Sequence, residues 1–463
     1  MLKLYNSLSK KVEEFVPINP PNVGLYTCGM TVYDYAHIGH GRKYVGDDIL
    51  RRVLTRFGYK VKHVQNVTDV GHLVSDADEG EDKLEKGAAK TGKTVWEVAE
   101  FFTKHFYDSM DKLDVLRPDI ICKATDNIKE QVALVSKLVK KGFAYDTPEA
   151  VYFDISKFPN YGKLFGQKLE EKKTAAREEV KTGEFKKNPA DFALWFKRTG
   201  RFADHTMHWE SPWGDGFPGW HIECSAMSMK YLGDTFDIHT GGIDHIPVHH
   251  PNEIAQSEGA TGKPFVKYWV HHAFLTVDGK KMSKSLGNFH TIEDVEKKGF
   301  DPLALRYFYF TAHYRSSQNF TWEALGAAQK ALGELRGHVD GRAALSQEKL
   351  EKVDAYQKKF DEALANDLNM PQALAVVWEV AKSNIPSQDK HDLLLDFDEV
   401  LGLDLSRKTQ VKKIPDEIMK LVQKREDLRK ENKFNEADDM RKIIEGKGYR
   451  VEDTEEGPLT SKL

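Results

Sequence analysis

The chain has 463 residues, of which 40% are hydrophobic and 30% charged, so it can bury large cores and is not a wholly disordered protein. Its 68 basic and 72 acidic side chains exclude a uniformly basic nucleic-acid coat but leave room for a local basic face. Three cysteines, no apolar run of membrane-spanning length and no signal-peptide core near the start predict a soluble protein of the reducing cytoplasm.

A strand, a helix and a second strand are predicted near the start of the chain. Residues 23–28 form a short apolar run that Gly29 ends. Apolar side chains then recur at helical spacing over residues 45–57, and the β-branched segment 59–67 predicts the next strand. A β-α-β unit of this kind is typical of dinucleotide-binding folds and predicts a parallel sheet.

A second strand, loop and helix lie far downstream, after an insertion over residues 137–204. Their parts are a strand at 235–239, a break at Gly241 and Gly242, a helix at about 249–258 and a strand at 265–271. The insertion contains a hairpin-like stretch at 145–153 and a lysine-rich stretch at 168–187, which is typical of a solvated surface segment. We therefore expect two half-domains that build one α/β sheet, with a subdomain inserted between them.

The C-terminal part of the chain is predicted to be helical from about Thr321. Residues 414–428 outline a last amphipathic helix, which follows a linker at 412–415. Between Arg407 and Arg450 there are 14 basic and 9 acidic side chains, so this segment is net positive in a chain of net charge −4. Such a segment is either a solvated helical face or a surface that receives phosphates.

The sequence His37-Ile38-Gly39-His40 lies between the first strand and its helix. The start of a helix offers free N–H groups and the positive end of its dipole to an anion. Two imidazoles add hydrogen-bond donors, and Gly39 allows a close approach of backbone and ligand. This motif predicts a phosphate site, although a pair of turn histidines is also consistent with these four residues alone.

A second motif, Lys-Met-Ser-Lys-Ser at residues 281–285, lies between glycines. Its two lysines, Lys281 and Lys284, predict a mobile cationic clamp for a polyphosphate. By itself the motif is also consistent with a charged surface loop. Its occurrence about 240 residues after the first motif argues against coincidence.

Together these motifs resemble those of the class I aminoacyl-tRNA synthetases, and three further segments resemble the cysteinyl-tRNA synthetases in particular. The three segments are Cys-Gly-Met-Thr-Val-Tyr-Asp at 28–34, Pro-Gly-Trp-His-Ile-Glu-Cys-Ser-Ala-Met at 218–227, and the stretch from His-Thr-Gly-Gly at 239–242 to His-His-Pro-Asn-Glu at 249–253. The similarity extends over nearly the whole chain. It implies an enzyme that activates L-cysteine with ATP to cysteinyl-adenylate and transfers the cysteine to the 3′ end of tRNA(Cys).

A metal site is expected from two of the three cysteines and one helix start. Cys28 and Cys224 adjoin motif segments of the two half-sheets, where open α/β sheets bind ligands. His249 and Glu253 are four residues apart and share one helix face. All four are side chains that bind zinc, whereas Cys122 is interpreted as inert packing. The resemblance implies that these four hold one Zn2+ per chain, and the substrate would then be a fifth ligand or displace one.

The resemblance also implies roles for individual residues. The implied catalytic residues are His37, His40, Lys281 and Lys284. The implied ATP-binding residues, with Mg2+ on the phosphates, are His37, Gly39, His40, Gly241, Gly242, Asp244 and Lys284. The implied contacts to the substrate cysteine are Gly29, Thr68 and Trp220. Asp244 is placed to accept from ribose hydroxyls but is also consistent with a turn, and Trp220 is also consistent with a core position. His221 and His250 are expected beside the metal.

The predicted α/β chain divides into six regions under this resemblance. They are a Rossmann-like parallel-sheet catalytic domain in two halves at 1–136 and 205–272, an inserted subdomain at 137–204, a stem-contact region with the Lys-Met-Ser-Lys-Ser loop at 273–320, a helical bundle at 321–405, and a small C-terminal anticodon-binding domain at 413–463. No long coiled-coil pattern favours a dimer, so we expect a monomer without membrane contact.

Two other functions stay open from sequence alone. A cysteine ligase of the mycothiol-pathway type would share the adenylating core and give cysteine to an amino sugar, but it would not need a basic C-terminal segment. A catalytically inactive paralogue that binds only RNA or zinc would be expected to lose His37, His40 or Lys284, all of which are present.

Overall fold

The computed structural model describes the chain except residues 72–81, 167–184, 284–285, 340–349, 408–414, 432, 455–456 and 463. The described residues form two compact units, Met1–Ser406 and Arg407–Leu463. Within these described ranges, no helix combines the length and the apolar character that crossing a membrane requires.

Strands and helices alternate through the first unit. Its strands are β1 (Lys3–Asn6), β2 (Lys11–Glu14), β3 (Asn22–Thr27), β4 (Lys60–Val67), β5 (Ile120–Lys123), β6 (Ala144–Asp146), β7 (Ala150–Phe153), β8 (Phe192–Lys197), β9 (Gly216–Pro218), β10 (Phe236–Gly242), β11 (Val266–His272), β12 (Leu275–Val277), β13 (Lys280–Lys281) and β14 (Gln318–Phe320). Its helices are α1 (Ile38–Arg56), α2 (Lys83–Thr91), α3 (Val95–Lys112), α4 (Ile128–Lys140), α5 (Trp220–Leu232), α6 (His249–Thr261), α7 (Ile292–Lys297), α8 (Pro302–Phe310), α9 (Trp322–His338), α10 (Leu350–Ala365), α11 (Met370–Lys382) and α12 (Ser387–Leu401).

The central sheet consists of parallel strands in the order β11-β10-β3-β4-β5. Strand β10, from the second half of the chain, lies beside β3, with Ile238 opposite Leu25 and Thr240 opposite Thr27. Both predicted halves therefore contribute to one sheet, which confirms the predicted Rossmann-like α/β fold. The chain order changes direction between β3 and β10, so the loops after these two strands border one cleft.

The predicted strand break at Gly241 and Gly242 is wrong, because both residues belong to β10 and pair with the end of β11. A Cβ atom at Gly241 would lie 2.6 Å from the ring of His250, and one at Gly242 would overlap the carboxylate of Asp244. The two glycines therefore allow close packing at the end of the strand instead of ending it.

The inserted region supplies β6, β7 and β8 of a four-stranded antiparallel sheet, and the fourth strand, β9, lies beyond the predicted end of the insertion at residue 204. Strands β6 and β7 pair with Tyr145 opposite Tyr152, which confirms the hairpin predicted at 145–153. Most of the lysine-rich stretch predicted at 168–187 lies outside the described residues.

A buried ion pair joins α1 to the helices that follow the sheet. The guanidinium of Arg306 in α8 is 2.5 Å from the carboxylate of Asp48 in α1, and both side chains are fully buried. Arg306 also donates to the backbone carbonyl of Leu401 at the end of α12. Because a buried charge is tolerated only when it is paired and hydrogen-bonded, these contacts fix the direction of α1.

The second unit contains α13 (Asp416–Lys430), α14 (Phe434–Gly446) and an antiparallel hairpin of β15 (Tyr449–Thr454) and β16 (Gly457–Lys462). A small core of Ile418, Val422, Ile444 and Val451 holds these elements together. Helix α13 matches the helix predicted over 414–428. The linker predicted at 412–415 lies outside the described residues except for its last position.

Candidate active site

The four predicted metal ligands lie together at the C-terminal edge of the central sheet. Cys28 follows β3, Cys224 lies in the second turn of α5, and His249 and Glu253 lie in the first two turns of α6. All four side chains are buried, and their ligand atoms lie within 4.8 Å of one another. The fold thus gathers into one group four side chains from three separate segments of the chain.

Glu253 makes several of the contacts within this group. Its Oε1 atom is 3.0 Å from His249 Nε2 and 3.9 Å from Cys28 Sγ, and its Oε2 atom is 2.9 Å from His239 Nε2. His239 and His250 form a second, overlapping group with Cys28 and Glu253. A buried carboxylate is therefore surrounded by buried imidazoles and a thiol.

Burial and the internal charges together control the protonation of this group. Burial alone would lower the pKa of His249, but Glu253 and Cys224 raise that pKa to about 10. Burial alone would raise the pKa of Glu253, but His239 and His249 hold it at about 2. Burial raises the pKa of Cys28, and the contact with Cys28, together with burial, raises the pKa of Cys224.

The donor set fits a zinc ion. Thiolate, imidazole and carboxylate are all zinc ligands, and zinc sites in proteins usually have four of them in total. With protons alone, the carboxylate of Glu253 is balanced by a protonated His249, and both thiols stay neutral. A divalent cation would displace these protons, because metal ligands bind in their deprotonated forms.

The histidines expected beside the proposed ligands lie there. His221 Nδ1 is 2.9 Å from His249 Nδ1. His250 Nδ1 is 2.7 Å from His271 Nε2, and His271 Nδ1 is 2.8 Å from the hydroxyl of Ser7. Hydrogen bonds from His221 and His271 therefore orient the rings of His249 and His250.

The first motif forms the start of α1. The N–H of His40 donates to His37 Nδ1 at 3.1 Å, and the N–H of His37 donates to His40 Nδ1 at 3.3 Å. The two rings are stacked with their centroids 3.6 Å apart. Burial lowers the pKa of His37 to about 4 and that of His40 well below its ordinary value. Both rings are therefore neutral at pH 7, and because Nδ1 is the acceptor, each ring carries its proton on Nε2.

The two motifs meet at Gly39. A Cβ atom there would lie 2.7 Å from the terminal methyl carbon of Met282, in the second motif. The N–H of Ile38 donates to the backbone carbonyl of His290 at 2.9 Å, just after that motif. The close approach that Gly39 permits is thus occupied by the second motif.

Lys281 ends β13 and is exposed. The side chain of Asn288 accepts from the N–H of Ser283 at 2.8 Å and donates to the carbonyl of Lys281 at 3.1 Å, so it ties this loop together. Lys284, the other predicted cation of the motif, lies outside the described residues.

Two of the predicted cysteine contacts share a hydrogen-bond network. The hydroxyl of Thr68 donates to Glu223 Oε2 at 2.9 Å and accepts from Asn66 Nδ2 at 3.1 Å. The N–H of Gly29 donates to Asn66 Oδ1 at 2.7 Å, and a Cβ atom at Gly29 would overlap the Asn66 carbonyl. Position 29 therefore has no room for a side chain.

The third predicted cysteine contact, Trp220, and the predicted ribose-binding residue, Asp244, lie on separate elements. Trp220 begins α5, and its ring centroid is 4.4 Å from that of His249, so it adjoins the proposed metal ligands. Asp244 lies in the short turn that follows β10 and is exposed.

The sequence did not predict Glu223, His239 or His271 as parts of this site. Glu223 lies inside a helix, and the two histidines lie inside strands, where no local pattern distinguishes them from structural residues. Only the position of His271 carried a signal, because it lies near the C-terminal end of β11, at the edge where parallel sheets bind ligands, whereas His239 lies in the middle of β10.

Residues 14–330 match a protein family described as "tRNA synthetases class I (C) catalytic domain". The chain is 48% identical to the cysteine–tRNA ligase 1 of Burkholderia lata, an alignment that covers 98% of this chain and 96% of the relative. It is 44% identical to the cysteine–tRNA ligase of Treponema denticola, with 98% of each chain covered.

Solved structures share the fold at lower identity. The methionyl-tRNA synthetase of Mycobacterium tuberculosis bound by methionyl-adenylate matches with a TM-score of 0.57 and 15% identity, over 82% of this chain and 90% of the other. The leucyl-tRNA synthetase of Agrobacterium radiobacter, in a ternary complex with tRNA, matches with a TM-score of 0.59 and 12% identity, over 84% of each chain.

We expect His37 and His40 to stay neutral, with the proton on Nε2, from pH 7 down to about pH 5. The folded pKa of His37 is about 4, below the unfolded value near 6.5, so the unfolded state binds more protons between these values. Protonation of His37 in the unfolded state therefore lowers the stability of the fold as the pH falls from about 6.5 to about 4. Two-bond ¹⁵N–¹H NMR spectra, assigned with a His37→Gln variant, measure the tautomers, and a doubly protonated ring at pH 6 would contradict the geometry.

Proposed function

The chain belongs to the cysteine–tRNA ligase family of class I aminoacyl-tRNA synthetases, and on that premise we propose how its residues activate cysteine. As a member it is an enzyme that attaches cysteine to tRNA at the expense of ATP. The proposal concerns the roles of individual residues, the metal and the second unit.

The observation that carries the proposal is that the predicted metal ligands and the first motif lie at the same edge of the central sheet. The group of Cys28, Cys224, His249 and Glu253 lies at the C-terminal edge of the sheet, and the first motif begins the helix that leaves the same edge. The edge therefore offers a binding site for a thiol beside a binding site for phosphates, as joining cysteine to ATP requires.

We assign the buried group to the thiol of the substrate. A zinc ion held there, one per chain, would lower the pKa of the substrate thiol from about 8.5 and take the thiolate as a ligand. Serine lacks a group that binds in this way, so no separate editing site is needed. Gly29, Thr68 and Trp220 would shape the rest of the pocket around the amino acid.

In the first step, an oxygen of the cysteine carboxylate attacks the α-phosphorus of ATP, and the bond to the β-phosphate oxygen breaks. Cysteinyl-adenylate forms and pyrophosphate leaves. His37 and His40, each with a proton on Nε2, would donate hydrogen bonds to the phosphate oxygens as negative charge grows on them. Lys281 and Lys284 would hold the departing pyrophosphate, while Mg2+ enters with the ATP.

The nucleoside of ATP would lie against the end of β10. Gly241, Gly242 and Gly39 add no side chains of their own at this edge, although His250, Asp244 and Met282 pack closely against them. Asp244 would accept hydrogen bonds from the ribose hydroxyls. In the second step, a hydroxyl of the terminal ribose of tRNA attacks the carbonyl carbon of the adenylate, and AMP leaves.

We assign tRNA(Cys) to residues 273–463, with the second unit at the anticodon. Phosphate attraction to its basic side chains would support docking, and exposed bases would then be read directly. We propose that the chain acts as a monomer in the cytoplasm, since one chain supplies the whole proposed ligand group. The relatives span the C-terminal segment as well, which favours tRNA over an amino sugar as the acceptor.

Replacing Cys224 by alanine should abolish zinc binding, because it removes one of the proposed ligands. Cys122→Ala is the matched control, since Cys122 is also a buried cysteine but lies outside the ligand group. Elemental analysis of the purified proteins should find about one zinc per chain in the control and less than about a tenth in Cys224→Ala. Equal zinc contents in the two variants would contradict the assignment.

Lys281→Ala should slow cysteine-dependent ATP–pyrophosphate exchange by about 10- to 100-fold, because a donor to the leaving pyrophosphate is lost. The neighbouring Lys280 is also exposed in β13, so Lys280→Ala is the matched control and should change the rate less than about twofold. If both variants lose activity equally, the effect is one of general charge and the clamp role is wrong.

Removing residues 407–463 should raise the KM for tRNA by about tenfold or more and weaken its dependence on salt concentration, because phosphate contacts are lost. Pyrophosphate exchange needs no tRNA and should stay within about twofold of the full chain, which controls for damage to the first unit. An unchanged KM for tRNA in the shortened chain would refute the docking role.

A further inference from the structure

A lysine next to the first motif contacts the backbone of a proposed metal ligand. Lys43 lies in α1, three residues after His40, and its ammonium donates to the carbonyl of Cys28 at 2.6 Å. The same ammonium forms an ion pair of 2.9 Å with Asp47, one helical turn further on. The Lys43 side chain is only 13% exposed, so this charge lies almost entirely inside the protein.

Asp47 holds Lys43 from the other side. Its second carboxylate oxygen is 2.9 Å from His272 Nε2, and the side chains of Asp47 and His272 are each only 3% exposed. Although burial alone would raise the pKa of Asp47, Lys43 and His272 hold that pKa well below its usual range. Asp47 is therefore an anion between two partners, and it links α1 to the end of β11.

The position of the His272 ring requires glycine at position 46. The ring of His272 packs against Gly46, where a Cβ atom would overlap it. Gly46 lies in the middle of α1, where glycine costs helix stability relative to alanine, so its presence is explained by the space that the ring needs.

Cys28 is held at both of its backbone polar groups. Its N–H donates to the carbonyl of Thr240 at 3.2 Å, across the junction of β3 and β10. Its carbonyl accepts from Lys43 and also from the hydroxyl of Tyr44 at 3.2 Å. Two donors from α1 therefore fix the peptide that follows the Cys28 side chain.

Stability alone does not explain a buried ion network at this position. Replacing a buried ion pair by apolar side chains of similar volume is often neutral or stabilising. The network ends on the backbone of one proposed metal ligand, and groups that hold a ligand in place tune the affinity for the metal.

We propose that Lys43, held by Asp47 and His272, is a positioning residue that fixes the Cys28 carbonyl and thereby the direction of Cys28 Sγ toward the metal. The inference rests on the proposed function, because Cys28 is a metal ligand only under that proposal. Lys43, Asp47 and His272 would thus keep the cysteine-binding site assembled without contacting the substrate.

The test compares Lys43→Met with Lys62→Met. Lys62 is a matched control, because it also donates to a backbone carbonyl, that of Tyr231 at 2.7 Å, but lies outside the network. The two readouts are the rate at which zinc passes from the purified full-length protein to a coloured chelator, and the KM values for cysteine and for ATP in pyrophosphate exchange. Lys43→Met should release zinc about 10- to 100-fold faster than the wild type and raise the KM for cysteine in the same direction.

A role in positioning Cys28 also predicts that the KM for cysteine changes while the KM for ATP does not. The KM for ATP in Lys43→Met should stay within about twofold of the wild type, and Lys62→Met should match the wild type in every readout. Zinc release and KM for cysteine at wild-type values in a folded Lys43→Met protein would overturn the inference. A wild-type protein without zinc would instead overturn the proposed metal site, so the two failures are distinguishable.

Tyr44→Phe provides a second variant in case Lys43→Met does not fold. It removes the other donor to the Cys28 carbonyl and leaves the ion network unchanged. We expect zinc release about two- to fivefold faster than in the wild type, a smaller effect because one neutral hydrogen bond is lost. Release at the wild-type rate would then count against positioning through this carbonyl.

Discussion

The candidate site depends on the parallel pairing of β3 with β10. Strand β3 ends at Thr27 and β10 lies more than 200 residues later, yet Thr27 lies opposite Thr240 and the N–H of Cys28 donates to the Thr240 carbonyl. This pairing places the end of β3, the start of α1 and the starts of α5 and α6 around one cleft. Because connections in such sheets leave at the carboxyl ends of the strands, the loops and helix starts of the two halves come together at that edge.

The second constraint is electrostatic. Glu253 is fully buried, and its carboxylate is tolerated because His239 and His249 are within hydrogen-bond distance of it. A buried charged group of this kind stabilises the fold no more than apolar side chains in its place would. Its role is therefore to bind a ligand. Under the proposed function, a metal held by this group would distinguish a thiol from a hydroxyl, which an apolar pocket separates only weakly.

The sequence was informative where a pattern is local. Helical spacing and β-branched runs predicted the β-α-β unit, and the hairpin at 145–153 followed from its own residues. The start of α1 at Ile38 was harder to predict, because histidine is not a usual helix cap and the apolar repeat begins only later. Gly241 and Gly242 were misread as a break, since a sequence does not show that the ring of His250 needs the space beside them.

Contacts between distant segments could not be read from spacing. No Cys-x-x-Cys pair marks the metal site, so the resemblance to a family selected Cys28 and Cys224, and the fold then placed them within reach of Glu253. Lys43, Asp47 and His272 carry no local signal at all, because their meaning depends on β11 returning to the side of α1. Such residues become visible only when burial and charge are known together.

The measurement that tests the central claim most directly is zinc K-edge X-ray absorption of the purified protein, alone and with saturating L-cysteine or L-serine. If the buried group selects the substrate by its thiol, the spectrum without substrate should show about two sulfur neighbours, from Cys28 and Cys224. Cysteine should then add a further sulfur neighbour, and serine should leave the spectrum unchanged. A zinc spectrum that does not respond to cysteine would contradict the claim.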